Sequence, residues 1–350
     1  MTDKGRRNMH VAMWYNNRDV RVEEMPVPQI GPGELLVRVE ASGICGSDVM
    51  EWYRRDKAPL VLGHEIGGQV VEVGKGVENY REGDRVSAAH HVPCNTCYYC
   101  LRGHHTMCDT LRKTNFEPGG FAEYVRLPAI NVDRGVFPLP EQMSYEEATF
   151  IEPLACILRG QRVANMQPGD SVLIIGSGIA GLLHLQLART LGARRVIATD
   201  INQFRLDAAK RFGADVALHA QKYSPARLRE VNDGCLADLV IVCAGATTAI
   251  SQALQSVERG GRVLLFAPTD PGVSIPISLN EVFWRTDVTL TTSYGASPHD
   301  YQTALDIIRA GTIPVRQMIT HRLALAEAVR GFQLVAEAGA SIKVIIEPQK

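Results

Sequence analysis

The chain has 350 residues, and its 37 lysines and arginines nearly balance 38 aspartates and glutamates, for a formal net charge of −1. That balance gives no broad positive field for nucleic acid or an anionic membrane, and no apolar run approaches the roughly 20 residues that a membrane helix needs. The length allows two domains with separate cores; the polar start MTDKGRRNMH leads into no apolar segment, so the expectation is a soluble, cytoplasmic protein.

Up to about residue 130 the chain reads as short strands punctuated by glycine: DVRVEE, ELLVRVEAS, IGGQVVEVG, GDRVSAA and GGFAEYVRL. β-branched enrichment between turn residues predicts an all-β domain of irregular strands. Within it, CNTCYYCLRGHHTMC carries Cys94, Cys97, Cys100 and Cys108. Two-residue gaps let successive thiolates converge on one ion, and the longer gap brings the fourth around to close a tetrahedral all-thiolate site. The spacing predicts a structural zinc, with no position open to a substrate. The other four cysteines, Cys45, Cys156, Cys235 and Cys243, are scattered, which suits a reducing compartment.

From Asp170 the pattern changes to a strand (SVLII), a glycine turn, a helix (AGLLHLQLARTLG) and a second strand (RVIAT). It continues through the helix FRLDAAKRFG, the strand LVIVCA, the helix TTAISQALQSV and the strands RVLLFA and VTLTTS. Strands alternating with amphipathic helices predict a doubly wound parallel sheet. After about residue 297 come two more helices, DYQTALDIIRAG and LAEAVRGFQLVAEAG, and a last strand, KVIIEP. Periodicity leaves open whether this tail extends the parallel domain or returns to the first one.

In SVLIIGSGIAG, Gly176, Gly178 and Gly181 form GxGxxG between a strand and a helix that Ile179 opens, and Asp200 ends the next strand about 20 residues on. Gly176 permits the tight turn, Gly178 lets backbone amides approach a pyrophosphate, and Gly181 allows close helix packing. The helix N-terminus offers a partial positive charge to the phosphates. Asp200 can accept hydrogen bonds from ribose hydroxyls and would repel the extra phosphate of NADP, so the expected cofactor is NAD. Arg205 stands where it can cap the adenine side, admit some NADP, or simply be a solvated helix arginine.

Cys45 in ICGSD and His64 with Glu65 in GHE supply a thiolate, an imidazole and a carboxylate, a donor set suited to a second zinc. Glu152, in FIEPLAC at the junction of the two domains, is a further carboxylate.

CGSD, GHE, the four-cysteine lobe, IEPLA and GSGIAG, in this order, resemble the zinc-dependent medium-chain dehydrogenases, especially the sorbitol (polyol) dehydrogenase branch. The resemblance runs nearly the whole length. It implies an α/β protein with a GroES-like β domain over residues 1–153 and 298–350, its zinc lobe at about 90–112, and a Rossmann domain over 154–297. It also implies a homotetramer or homodimer acting on a small alcohol or polyol, with no nucleic-acid or membrane partner. Cys45, His64 and Glu65 would hold the catalytic zinc with water as fourth ligand, Glu152 would touch that water or replace a ligand, and Ser47 would pass the substrate proton onward. In relatives a histidine follows CGSD after one residue; here Met50 stands there, and a thioether cannot carry a proton.

IEPLA favours polyols over threonine, whereas His91, three residues before Cys94, matches a histidine of threonine dehydrogenases. Trp52 and Tyr294 are expected to wall the pocket. The resemblance therefore implies NAD-dependent oxidation of a secondary alcohol or polyol, with L-threonine 3-dehydrogenase as the alternative and a non-catalytic nucleotide-binding protein as a distant one.

Overall fold

In the computed structural model the described residues are 7–350; residues 1–6 of the polar start lie outside them. The chain divides into two compact units, Met1–Ala155 with Ala296–Lys350, and Cys156–Gly295. The strands are, in chain order, β1 (Asn8–Asn16), β2 (Asp19–Pro26), β3 (Leu35–Gly43), β4 (Leu60–Val61), β5 (Glu65–Val73), β6 (Arg85–Ala88), β7 (Tyr124–Leu127) and β8 (Val136–Pro138). In the second unit come β9 (Ser171–Ile175), β10 (Arg195–Asp200), β11 (Val216–His219), β12 (Ala237–Val242), β13 (Val257–Leu265) and β14 (Thr289–Thr292). β15 (Ile319–Ala324) and β16 (Lys343–Glu347) follow.

In the first unit a mixed sheet has the order β15-β16-β3-β5-β6-β8, with β7 also on β3, and a smaller sheet has the order β2-β1-β4. Inward positions of the large sheet, among them Leu35, Val37, Val39, Ile66, Val70, Val86, Val125 and Leu127, form one apolar cluster. A second cluster gathers Trp14, Ile44, Leu62 and Phe121 with Phe332, Val344 and Ile346 from the C-terminal tail. The tail therefore returns to the first unit, because its buried apolar residues complete a core that the N-terminal strands leave unfinished. The helix Ala328–Ala336 packs so close that a Cβ on Gly331 would meet Ile44 Cδ1 at 2.7 Å. It braces the residue just ahead of Cys45.

The second unit is a six-stranded sheet of order β11-β10-β9-β12-β13-β14, parallel throughout. β9 is buried at all five positions, as expected where helices cover both faces, which explains its unbroken apolar run. The α/β class and the doubly wound parallel sheet expected from the sequence are both present. β1, β4, β8, β11 and β15 are not legible in the sequence. β4 is two residues long, and NMHVAMWYN of β1 lacks the β-branched run that marks the others.

His184 lies fully buried in the helix Ile179–Thr190 of this unit. The Gln161 amide nitrogen donates to its carbonyl at 2.7 Å and lies 3.2 Å from Nδ1, and the ring meets Phe266 edge-on at 4.6 Å. Burial pushes its pKa from the usual 6.5 down to about 3. Between those values the unfolded chain binds a proton that the folded chain refuses. Stability of the second unit therefore falls as pH drops through this window, by about 1.4 kcal/mol per pH unit from this group alone. Denaturant unfolding at pH 6.5 and pH 4.5 should show a smaller loss for His184→Gln than for the wild type; equal losses would remove His184 as the cause.

Candidate active site

The turn after β3 is built around Cys45. It caps a short 3-10 turn, Gly46–Val49, in which Ser47 N and Ser47 Oγ each donate to the Cys45 sulfur at 3.4 Å. Asp48 closes the turn by accepting from Cys45 N at 3.0 Å. Its other oxygen, wholly buried, lies 3.3 Å from His64 Nδ1 and 3.8 Å from Arg54 Nη2. Burial works against the charged forms, but their mutual attraction dominates: the His64 imidazole is held well above its ordinary pKa and the Asp48 carboxyl below its own. With Nδ1 turned to Asp48, the orientation of the ring is fixed, as for a metal-binding histidine with a carboxylate behind it.

His64 and Glu65 follow where the chain enters β5, and one ligand atom from each of Cys45, His64 and Glu65 lies within 4.8 Å of the others. Sulfur, imidazole nitrogen and carboxylate oxygen at that separation fit a zinc ion. Glu65 is also paired. Its Oε2 accepts from Lys343 Nζ, and both side chains are at most 2% exposed. Glu152 is buried in the first turn of the helix Ile151–Val163 in the same unit, and the close group does not include it.

Cys94, Cys97, Cys100 and Cys108 form the second close group. The Cys94 and Cys97 sulfurs stand 3.9 and 3.6 Å from that of Cys100, against about 3.8 Å expected between thiolates tetrahedrally bound to zinc at ~2.3 Å. All four are free thiols. Amides of Thr96 and Cys97 donate to Cys94 and pull its pKa down to about 5, whereas burial and the Cys97 sulfur push Cys100 up to about 12. Four sulfurs so close cannot all ionise without a cation, and a zinc ion fits them.

In the second unit, Gly176 takes a left-handed φ of 96° after β9 and donates its amide to Thr199 O at 2.9 Å. A Cβ on Gly181 would fall 2.0 Å from Gly176 O, so only glycine lets the helix start this near the turn. A Cβ on Gly178 would meet only the Arg205 guanidinium, no closer than 3.6 Å, so that backbone is open for a pyrophosphate to approach. Asp200, mostly buried, accepts from Ser177 N at 2.7 Å and Asn202 N at 2.8 Å. Each oxygen keeps a second acceptor site. The Arg205 Nε is buried with no hydrogen-bond partner among the described residues. A dinucleotide fits this turn.

The residues expected to line a pocket are more dispersed. Trp52 is exposed beside Tyr53 on the helix Glu51–Arg54. Tyr294 is exposed in the second unit, where its carbonyl accepts from Arg159 Nε at 3.4 Å. His91 Nδ1 lies 2.6 Å from Thr114 O, tied to the lobe, and burial lowers its pKa to about 4. His90 instead lies against His64, ring centroids 4.7 Å apart and planes tilted by 46°. Sequence reasoning missed Asp48, Arg54 and Lys343. The one available signal was a lysine opening the apolar strand KVIIE, where an exposed position is not expected.

No helix among the described residues is long and apolar enough to cross a membrane. Residues 31–141 match the alcohol dehydrogenase GroES-like domain, and residues 180–310 match the zinc-binding dehydrogenase family. The chain is 34% identical to an L-threonine 3-dehydrogenase of Bacillus licheniformis, covering 93% of this chain and 94% of that one. It is 33% identical to a sorbitol dehydrogenase of Bombyx mori, over 97% and 99% of the two chains. A Sinorhizobium meliloti 1021 protein, solved bound to NADP, superposes with a TM-score of 0.87 at 29% identity, over 98% of this chain and 100% of that one. The sorbitol and threonine branches stand equally near, so the polyol branch is not singled out. With two zinc-type clusters, a glycine nucleotide turn and matches over nearly its whole length, the chain belongs to the zinc-binding medium-chain dehydrogenase family.

Proposed function

We propose that this protein is a zinc-dependent NAD oxidoreductase that oxidises a secondary alcohol or polyol to a ketone by hydride transfer. The observation that carries this reading is the convergence of Cys45, His64 and Glu65, three unlike donors that leave a position open. When bound, the zinc supplies a Lewis acid at the substrate oxygen and the dinucleotide supplies the hydride acceptor.

The chain's own residues do the rest. Ser47 Oγ, held on the Cys45 sulfur, is the hydroxyl next to the cluster and accepts the substrate proton while passing on its own. Met50 cannot continue that path, and Glu51 is engaged by Asn17 N at 3.0 Å and Arg55 at 3.4 Å, so the onward step goes to water. Asp48 fixes the His64 ring. Lys343 draws charge from Glu65 and leaves it a weaker, more exchangeable ligand. Glu152 is the further carboxylate for this centre, and Trp52 and His91 are its substrate-side residues. Ile179 and Arg205 complete the dinucleotide site with the three glycines and Asp200.

NAD is preferred over NADP in this reading because the Asp200 carboxylate would repel a 2′-phosphate. L-threonine 3-dehydrogenase remains the second reading, supported by the Bacillus relative. Assembly into a homodimer or homotetramer is supported by β14, an edge strand, preceded by Leu279 and Trp284 at 71% and 68% exposure.

Zinc analysis should find two ions per wild-type chain. Cys45→Ser should lose one with at least a ~100-fold fall in turnover and an intact fold, whereas Cys100→Ser should lose the other and mainly lower thermal stability. Identical effects from both would undo the division of roles. Fluorescence titration of Asp200→Ala should show NAD binding weakened about tenfold relative to NADP, roughly 1.4 kcal/mol. Tighter binding of NADP by the wild type would contradict the cofactor assignment.

A further inference from the structure

We propose that the substrate carries an oxyanion, a carboxylate or a phosphate, in addition to its reacting hydroxyl, and that Arg54, supported by Lys57, receives that group. The inference rests on the dehydrogenase reading above and narrows its substrate class.

Arg54 ends the short helix that follows the Cys45 turn. Its guanidinium stands directly on the proposed proton-carrying residue: Nη2 is 3.4 Å from Ser47 Oγ and Nε 3.3 Å from Ser47 O. Its side chain is only 16% exposed, and the guanidinium carbon lies over the Tyr53 ring at 4.5 Å. The Lys57 ammonium approaches the same ring at 5.7 Å. Among the described residues the acid paired with Arg54 is Asp48, 3.8 Å away and already shared with His64. Its charge is therefore only partly offset, and its Nη1 donates to no group among the described residues.

Two imidazoles adjoin the His64 side of the cluster. The His90 ring lies 4.7 Å from His64 and 3.9 Å from His91, and its buried Nδ1 has no hydrogen-bond partner among the described residues. A largely buried guanidinium with Nη1 unengaged is matched by a carboxylate or phosphate, through charge-assisted bonds. A neutral polyol would leave it unpaired on losing water. The ammonium of threonine would meet two cations here, so a hydroxy acid or phosphorylated polyol without an amine fits better than an amino acid.

The test uses the zinc-loaded enzyme with NAD. Hexonates and hexitol phosphates are compared with the neutral hexitols of the same configuration and with threonine. At least one anionic substrate should exceed its neutral counterpart about tenfold in kcat/KM, mainly through KM. That advantage should shrink as salt rises and screens the attraction. The carboxylate and phosphate arms identify which oxyanion is taken. Arg54→Gln should bring the ratio of anionic to neutral kcat/KM toward one, and Arg54→Lys should recover part of it. Should Arg54→Gln fail to fold, the salt series and Lys57→Gln, an exposed change expected to cut the ratio severalfold, still decide. Neutral hexitols turned over as well as both anionic classes, or a ratio indifferent to salt, would overturn the proposal while leaving the dehydrogenase reading standing. No NADH from any alcohol, neutral or charged, would sink both.

Discussion

Glu65 and Lys343 meet inside the first unit from opposite ends of the chain, 278 residues apart, and much of the architecture follows from the need to keep them together. Burying two charges costs several kcal/mol each, recovered only when they are paired at close range. The pair forms across β3. Gly43 faces Glu65 on β5 and Ile345 on β16, and a Cβ at Gly43 would fall 2.3 Å from Glu65 Oε2 and 2.6 Å from Lys343 Nζ. Glycine at that position is therefore what lets lysine and glutamate meet. Because Glu65 also belongs to the close group with Cys45 and His64, the last strand of the chain supports both the core and the proposed metal centre.

The two clusters differ in a way that fits the separate roles proposed for them. In the lobe, four sulfurs, two of them with opposed proton affinities, Cys94 at about 5 and Cys100 at about 12, make a like-donor set of the kind that closes around a structural ion. At Cys45, His64 and Glu65 the donors are unlike, and each is held from behind by a named group. Ser47 holds Cys45, Asp48 holds His64, and Lys343 holds Glu65. Such backing fixes geometry before any substrate arrives.

Legibility in the sequence followed the range of the interactions. The glycine turn, the cysteine spacing and the buried run SVLII announce themselves because their physics is local: a left-handed φ at Gly176, a ligand spacing, a strand covered on both faces. The return of the tail could not be read from periodicity, since β16 looks alike in either domain. Only its pairing with β3, and the lysine at its start, decide where it goes. Arg54 and Asp48 stayed hidden because their role depends on a carboxylate shared with His64 across a loop. Which of two adjacent histidines faces the cluster likewise depends on Thr114 anchoring His91 and freeing His90.

The dependence of fold and site on one buried pair is tested most directly by a double-mutant cycle with Glu65→Gln and Lys343→Met. Unfolding is followed by the fluorescence of buried Trp14, with Trp52 and Trp284 changed to phenylalanine, alongside zinc content. Each single change should destabilise the first unit by about 3–5 kcal/mol, and the double variant should lose at least ~2 kcal/mol less than their sum, with one zinc per chain gone wherever Glu65 is replaced. Losses that add to within about 0.5 kcal/mol, or full zinc retention in every variant, would contradict the account.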